Sequence, residues 1–140
     1  MRKSKKFLFG ATIALVFVVG VITVSAGAVV SWSQKLNAYS SFYEMSPNTK
    51  TNTTNEGYVV VTNMASTSSL GFRARGKWYD GSTWHWTNFG PTTNVTSANT
   101  TYTVYYMQSL SASMPVYLSV RNNTSTSSRP TVSGTWQYDY

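Results

Sequence analysis

A chain of 140 residues is the length of one domain, and the lack of any cysteine excludes a disulfide scaffold, a thiolate nucleophile and a cysteine metal site. The formal charge of +7 is unevenly spread, because four of the eleven basic residues (Arg2, Lys3, Lys5 and Lys6) stand at the N-terminus ahead of the first apolar run. The remainder carries seven basic and four acidic residues, a balance of +3 that fits anionic surfaces but is too small to argue for nucleic acid.

The basic N-terminus leads into a mostly apolar run from Phe7 to Val24, followed by the small residues Ser25, Ala26, Gly27 and Ala28. That order is the layout of a secretory signal peptide, with cleavage expected after Ala26 or else after Ala28. An uncleaved anchor is the competing reading, since the run approaches the ~18–20 residues that cross a bilayer. The expected organisation is a signal peptide over 1–26 and a secreted domain over 27–140, touching a membrane only through the signal segment. Export without cysteine points to a Gram-positive-like source and to an extracellular or wall-associated location.

The secreted part is rich in Thr, Ser, Asn and Tyr and poor in Lys and Glu, which favours strands over helices. The first predicted strand is 36–45, "LNAYSSFYEM". The β-branched run 57–64, "GYVVVTNM", is the second. In 70–79, "LGFRARGKWY", Phe72, Ala74, Gly76 and Trp78 alternate with Arg73, Arg75, Lys77 and Tyr79; 82–89 follows after a turn. In 100–107 Tyr102, Val104 and Tyr106 share a side, as do Val116, Leu118 and Val120 in 115–121. The last strand, 131–140, places Val132, Gly134, Trp136 and Tyr138 on one face at period two. Segments 46–57, 90–99 and 122–130 have loop compositions. Strands at this spacing with no helix between them predict an all-β domain, an antiparallel β-sandwich of six to eight strands.

The Asp80-Gly81 dipeptide is a hairpin signal whose register decides what the neighbouring tryptophans do. A two-residue loop sets Lys77 opposite Trp84 and Arg75 opposite Trp86, an aromatic and cationic surface that includes Tyr79. A three-residue loop, Tyr79-Asp80-Gly81, sets the small residues Gly76 and Ala74 opposite Trp84 and Trp86. One residue of slip exchanges the two outcomes. The three-residue loop separates apolar from polar side chains on both strands and is the preferred register. It buries the tryptophans and gathers Arg73, Arg75, Lys77 and His85 as a basic stripe. That stripe is the candidate face for an anionic partner; Tyr79, Trp84 and Trp86 are the alternative face. A solvated strand surface is the plain reading of the same residues.

Residues for catalysis are scarce. The secreted part has one histidine and the four acids Glu44, Glu56, Asp80 and Asp139. Asp80 is accounted for by its turn and Asp139 by a solvent-facing position near the C-terminus. A Glu44/Glu56 acid–base pair lacks support, and His85 has no orienting acid visible in the sequence. No catalytic, metal or cofactor-binding residue is therefore assigned, and the expectation is a protein that is not an enzyme and takes no cofactor.

The tail from Val116 to Tyr140, with "VYLSVRNN" and "TVSGTWQYDY", resembles the C-terminal strands of small secreted Bacillus-type proteins of uncharacterised function. The order "AYSSFYE", "VVVTN", "RGKWY", "YTVYYM" is similar to the lactococcin-type bacteriocins, a likeness that implies a cysteine-free β-sandwich acting on wall synthesis in related bacteria. This chain is longer, and its "DGSTWHW" hairpin departs from that pattern, so no functional residue is carried across. The expected function is a secreted, non-catalytic, bacteriocin-like contact with the cell envelope through the basic stripe. The partner would be an anionic envelope polymer, a lipid or a wall precursor. The alternatives are a carbohydrate-binding module using exposed aromatics and an assembly subunit pairing through its edge strands.

Overall fold

The structure is a computed structural model describing residues 28–139, so the expected signal peptide over 1–26 lies outside the described residues. Ten strands follow one another: β1 Val29–Lys35, β2 Tyr43–Glu44, β3 Asn48–Thr49, β4 Thr54–Asn63, β5 Leu70–Tyr79, β6 Trp84–Trp86, β7 Thr93–Val95, β8 Thr101–Leu110, β9 Pro115–Asn122 and β10 Thr131–Gln137. They form two antiparallel sheets. The first runs β1-β10-β4-β8. The second runs β2-β9-β5-β6, with β3 also on β9 and β7 also on β5. The protein is an antiparallel β-sandwich, and the strands among the described residues span residues 29–137.

Strand alternation builds the layer between the sheets. Val132, Gly134 and Trp136 of β10, Val59 and Val61 of β4, and Val104 and Tyr106 of β8 supply one side. Phe72 and Ala74 of β5 and Val116, Leu118 and Val120 of β9 supply the other. Trp32 of β1 meets Phe72 of β5 across the interface, ring centroids 5.7 Å apart. Each such fully buried aliphatic or aromatic side chain contributes about 1.5–3 kcal/mol from apolar burial.

Several expectations are corrected by the chain path. Segment 36–45 is a strand only at Tyr43–Glu44, because Tyr39 and Ser40 both take φ of 57° and turn the chain there. β1 was not expected from the sequence. As an edge strand it half-buries Val30, Trp32 and Gln34 and leaves Ser31 and Ser33 exposed. The supposed loops 46–57 and 90–99 contain β3, the start of β4 and all of β7. Asp139 does not face solvent. Lys50, carried into the interior after β3, pairs with it there. Among the described residues no helix is long and apolar enough to cross a membrane.

Candidate functional site

The outer face of the second sheet is built around β5. Strands β5 and β6 pair Tyr79 with Trp84, Trp78 with His85 and Lys77 with Trp86. The connecting loop is therefore the four residues Asp80-Gly81-Ser82-Thr83, and the three-residue register expected from the sequence is wrong. The Asp80 side chain sets the longer loop. Its Oδ1 accepts the backbone N–H of Ser82 and of Thr83, both at 2.8 Å, and the Ser82 hydroxyl at 2.9 Å. Gly81 supplies the left-handed step at φ 99°. The inner face has no room for the indoles either. Leu110 from the first sheet lies directly over Gly76, and Gly76 is further tied to Thr87, whose N–H donates to Gly76 O at 2.9 Å.

The four-residue loop has the parity of the two-residue alternative, shifted by one pair. It therefore brings cations and indoles to the same face, where they interleave as one stack. Arg121 lies 4.6 Å and Arg73 3.9 Å from the ring centre of Phe42. Arg73 is also 3.6 Å and Arg75 4.4 Å from the ring of Phe89. Arg75 is 3.7 Å and Lys77 4.1 Å from Trp86, and Lys77 is 5.9 Å from Tyr117. The order Arg121–Phe42–Arg73–Phe89–Arg75–Trp86–Lys77–Tyr117 alternates cation and ring throughout. Trp86 and Tyr117 close the end against each other at 4.8 Å.

This stacking explains how β5 carries three cations in alternation without mutual repulsion breaking the strand. Each cation has a ring quadrupole beside it, about 0.5–1 kcal/mol per exposed contact. Glu44 of β2 adds a two-pronged ion pair, accepting from Nε of Arg75 at 2.7 Å and from its terminal nitrogen at 2.9 Å. Arg73 has no such acid. Burial, followed by the charges of Arg121 and Arg75, pushes its pKa down, with Glu44 a partial offset. Arginine stays protonated under such a shift. Its Nε is buried without a hydrogen-bond partner.

His85 does not belong to this stack. Its pairing with Trp78 puts it on the opposite face of the ribbon, stacked on that indole at 4.7 Å. Its Nε2 lies 2.6 Å from Asp80 Oδ2, so the orienting acid that the sequence hid is the turn residue itself. Hydrogen bonds from Thr83, His85 and Ser82 hold the Asp80 carboxyl well below the ordinary carboxylate range. The Ser82 hydroxyl is bonded to Asp80 and not to the imidazole, which is not the arrangement of an activated serine. Glu44 is engaged with Arg75, while Glu56 is on the other sheet and accepts from Tyr58 Oη at 3.2 Å. Among the described residues no three His, Asp or Glu side chains are grouped as a cation site.

The sequence candidates thus regroup. Arg73, Arg75 and Lys77 join Trp86 from the alternative aromatic face, and Tyr79 and Trp84 continue that face toward the hairpin tip. Arg121, Tyr117, Phe42 and Phe89 were missed. The first two were within reach, since the alternation that buries Val116, Leu118 and Val120 turns Tyr117 and Arg121 outward. Phe42 and Phe89 lie off the strands and carry no periodic signal.

No protein-family model and no curated protein matches the chain. Among solved structures it is similar to the Yersinia pseudotuberculosis-derived mitogen, with a TM-score of 0.50 and 10% sequence identity, covering 80% of this chain and 86% of that one. At that identity the likeness concerns the fold alone.

Proposed function

We propose that this is a secreted, non-catalytic protein that contacts a bacterial cell envelope, drawing an anionic surface onto the cation–aromatic ladder of the second sheet. The observation carrying this reading is the charge balance of that ladder. Arg73, Arg75, Lys77 and Arg121 stand together on it, and among the described residues Glu44 is the one acid ion-paired with them. Stacking occupies the flat faces of a guanidinium and leaves its in-plane edge for an anion, a role for the terminal N–H groups of Arg73 and Arg121, since Arg75 already gives two of its N–H groups to Glu44. The rings also hold the long side chains in place, which lowers the ordering cost of binding. The basic n-region with its apolar run, and the similarity to lactococcin-type bacteriocins, support the envelope as the compartment.

The test is sedimentation of the chain from Gly27 onward with anionic and with neutralised wall fractions, at low and high salt. Binding should fall steeply with ionic strength and should weaken about tenfold in a Lys77→Ser/Arg121→Ser double variant. Salt-independent binding to neutral glycan would favour the second reading, a carbohydrate-binding module. The exposed rings of Tyr79 and Trp84, 5.2 Å apart, are the observation that supports that alternative.

A further inference from the structure

The second sheet does not end flush. β9 pairs with β5 only as far as Gly76, opposite Val116. From Lys77 to Trp86 the chain is a two-stranded ribbon whose ladder is the three β5–β6 pairs, with Trp86 at its base packed on Tyr117. A ribbon so short gains little by itself, and both its faces are open. Its side chains are nevertheless large and aromatic: Trp78 is 37% exposed, Tyr79 49%, Trp84 48% and Trp86 44%. Three of the chain's five tryptophans thus stand on one projecting hairpin. Scattered exposed apolar residues are ordinary, but a contiguous cluster of this kind marks a contact site.

The distribution of the rings tells which kind of contact. A sugar platform needs coplanar rings on one surface. Here Trp78 stacks with His85 on one face, while Tyr79, Trp84 and Trp86 occupy the other. A partner docking on a single face would leave the opposite rings in water, whereas a medium that surrounds the tip covers both. Indole and phenol rings suit the headgroup layer of a bilayer, where an apolar body and a polar N–H or O–H are both accommodated. The charges agree. Lys77 stands at the ribbon base, Arg75, Arg73 and Arg121 follow behind it along one face, and the acid at the tip, Asp80, is engaged by its own turn and by His85. An aromatic tip backed by cations is complementary to an anionic lipid surface.

We propose that the β5–β6 ribbon is a membrane-interface anchor that seats Trp78, Tyr79, Trp84 and Trp86 in the headgroup layer of an anionic bilayer, with Lys77 at its base meeting the lipid phosphates. This rests on the envelope reading and names the anionic lipid surface as the partner of that face.

The experiment uses the chain from Gly27 onward, since this stretch carries all ten described strands of both sheets and the apolar N-terminal run would bind vesicles on its own. It is mixed with phosphatidylglycerol vesicles and with zwitterionic vesicles, with and without brominated acyl chains. Co-sedimentation with the anionic vesicles, a blue shift of tryptophan emission and quenching by bromine are expected. The Trp78→Ser/Trp84→Ser variant should keep its β circular dichroism spectrum, lose about tenfold or more in vesicle binding, and keep its salt-sensitive binding to anionic wall material. Vesicle binding unchanged in that variant would overturn the anchor, as would sedimentation without emission shift or quenching. Retention on wall polymer with no vesicle binding would overturn the anchor and leave the envelope reading standing. Binding to neither would overturn both.

Discussion

Lys50 and Asp139 form an ion pair inside the domain, with Nζ 3.1 Å from Oδ1 and both side chains 0% exposed. The pair joins the end of β3 to the residues just after β10, so it ties an edge of the second sheet to the tail of the first. The ammonium also gives hydrogen bonds to Thr54 Oγ1 at 2.7 Å and to Tyr138 O at 3.0 Å. The other carboxylate oxygen accepts from the N–H and hydroxyl of Thr51, at 2.6 and 2.7 Å. Removing one partner strands the other charge in the interior, which costs about 3–5 kcal/mol. Lys50→Met and Asp139→Leu should each lose that much in urea melts, and the double variant should recover a large part. A double variant as unstable as the sum of the singles would show that the pair is not coupled.

The same pair makes the domain acid-sensitive. Burial raises the Asp139 pKa, but hydrogen bonds from Thr51 and Lys50 and the Lys50 charge outweigh it, so the folded value lies below the ordinary one. A depressed carboxyl pKa contributes stability above the unfolded value of about 3.9, and that contribution is lost as pH falls through the folded value. Burial depresses the Lys50 pKa, with Asp139 opposing. For a base that sign means no stability is lost as pH climbs toward the unfolded value. The urea midpoint should hold from pH 6 to 9 and fall below about pH 4. In Asp139→Asn the acid fall should be shallower, because one of the carboxyls that must be protonated is gone.

Legibility in the sequence followed the number of residues that had to agree. β10 was plain, since Val132, Gly134, Trp136 and Tyr138 repeat at period two and all four are buried. β1 was not, since an edge strand half-buries one side and its Ser31, Ser33 and Gln34 read as loop. Asp139 looked solvent-facing because its partner is remote in the chain and joined to it only by the fold. The hairpin register turned on a single side chain: Asp80 caps two N–H groups and extends the loop. Polarity sorting then pointed the wrong way, because the ladder makes an outer face of tryptophan and arginine together stable.

Two glycines of the core test close approach, Gly134 between strands of the first sheet and Gly76 between the two sheets. A Cβ on Gly134 would run into the backbone oxygen of Val60 and come within 2.9 Å of the Trp32 ring. A Cβ on Gly76 would meet the far end of the Leu110 side chain, which can rotate aside, with Pro115 O at 3.2 Å. Backbone paired on both sides, as β10 is, cannot move without breaking its ladder. Gly134→Ala should therefore cost about 2–3 kcal/mol and Gly76→Ala about 1 kcal/mol. Equal losses in thermal melts would mean that both sites relax alike.

The tryptophans give the sharpest test of the register, because their neighbours rank them. Trp136 is 2% exposed in the core, and Trp136→Ala should cost about 3–5 kcal/mol. Trp84 meets Tyr79 at 5.2 Å between ring centres and is half in solvent, so Trp84→Ala should change stability by about 0.5 kcal/mol or less. Trp86 falls between them. It stacks against Arg75 at 3.7 Å and Lys77 at 4.1 Å and touches Tyr117, so its removal takes two cation contacts and a ring pair, about 1–2 kcal/mol together. The three-residue register predicts a different order, with Trp84 and Trp86 both as costly as Trp136. Urea midpoints of the three alanine variants separate the cases. The order Trp84, Trp86, Trp136 supports the four-residue loop and the ladder. Large and equal losses at Trp84 and Trp86 would mean that the indoles pack inside and that the cations of β5 stand alone on the surface.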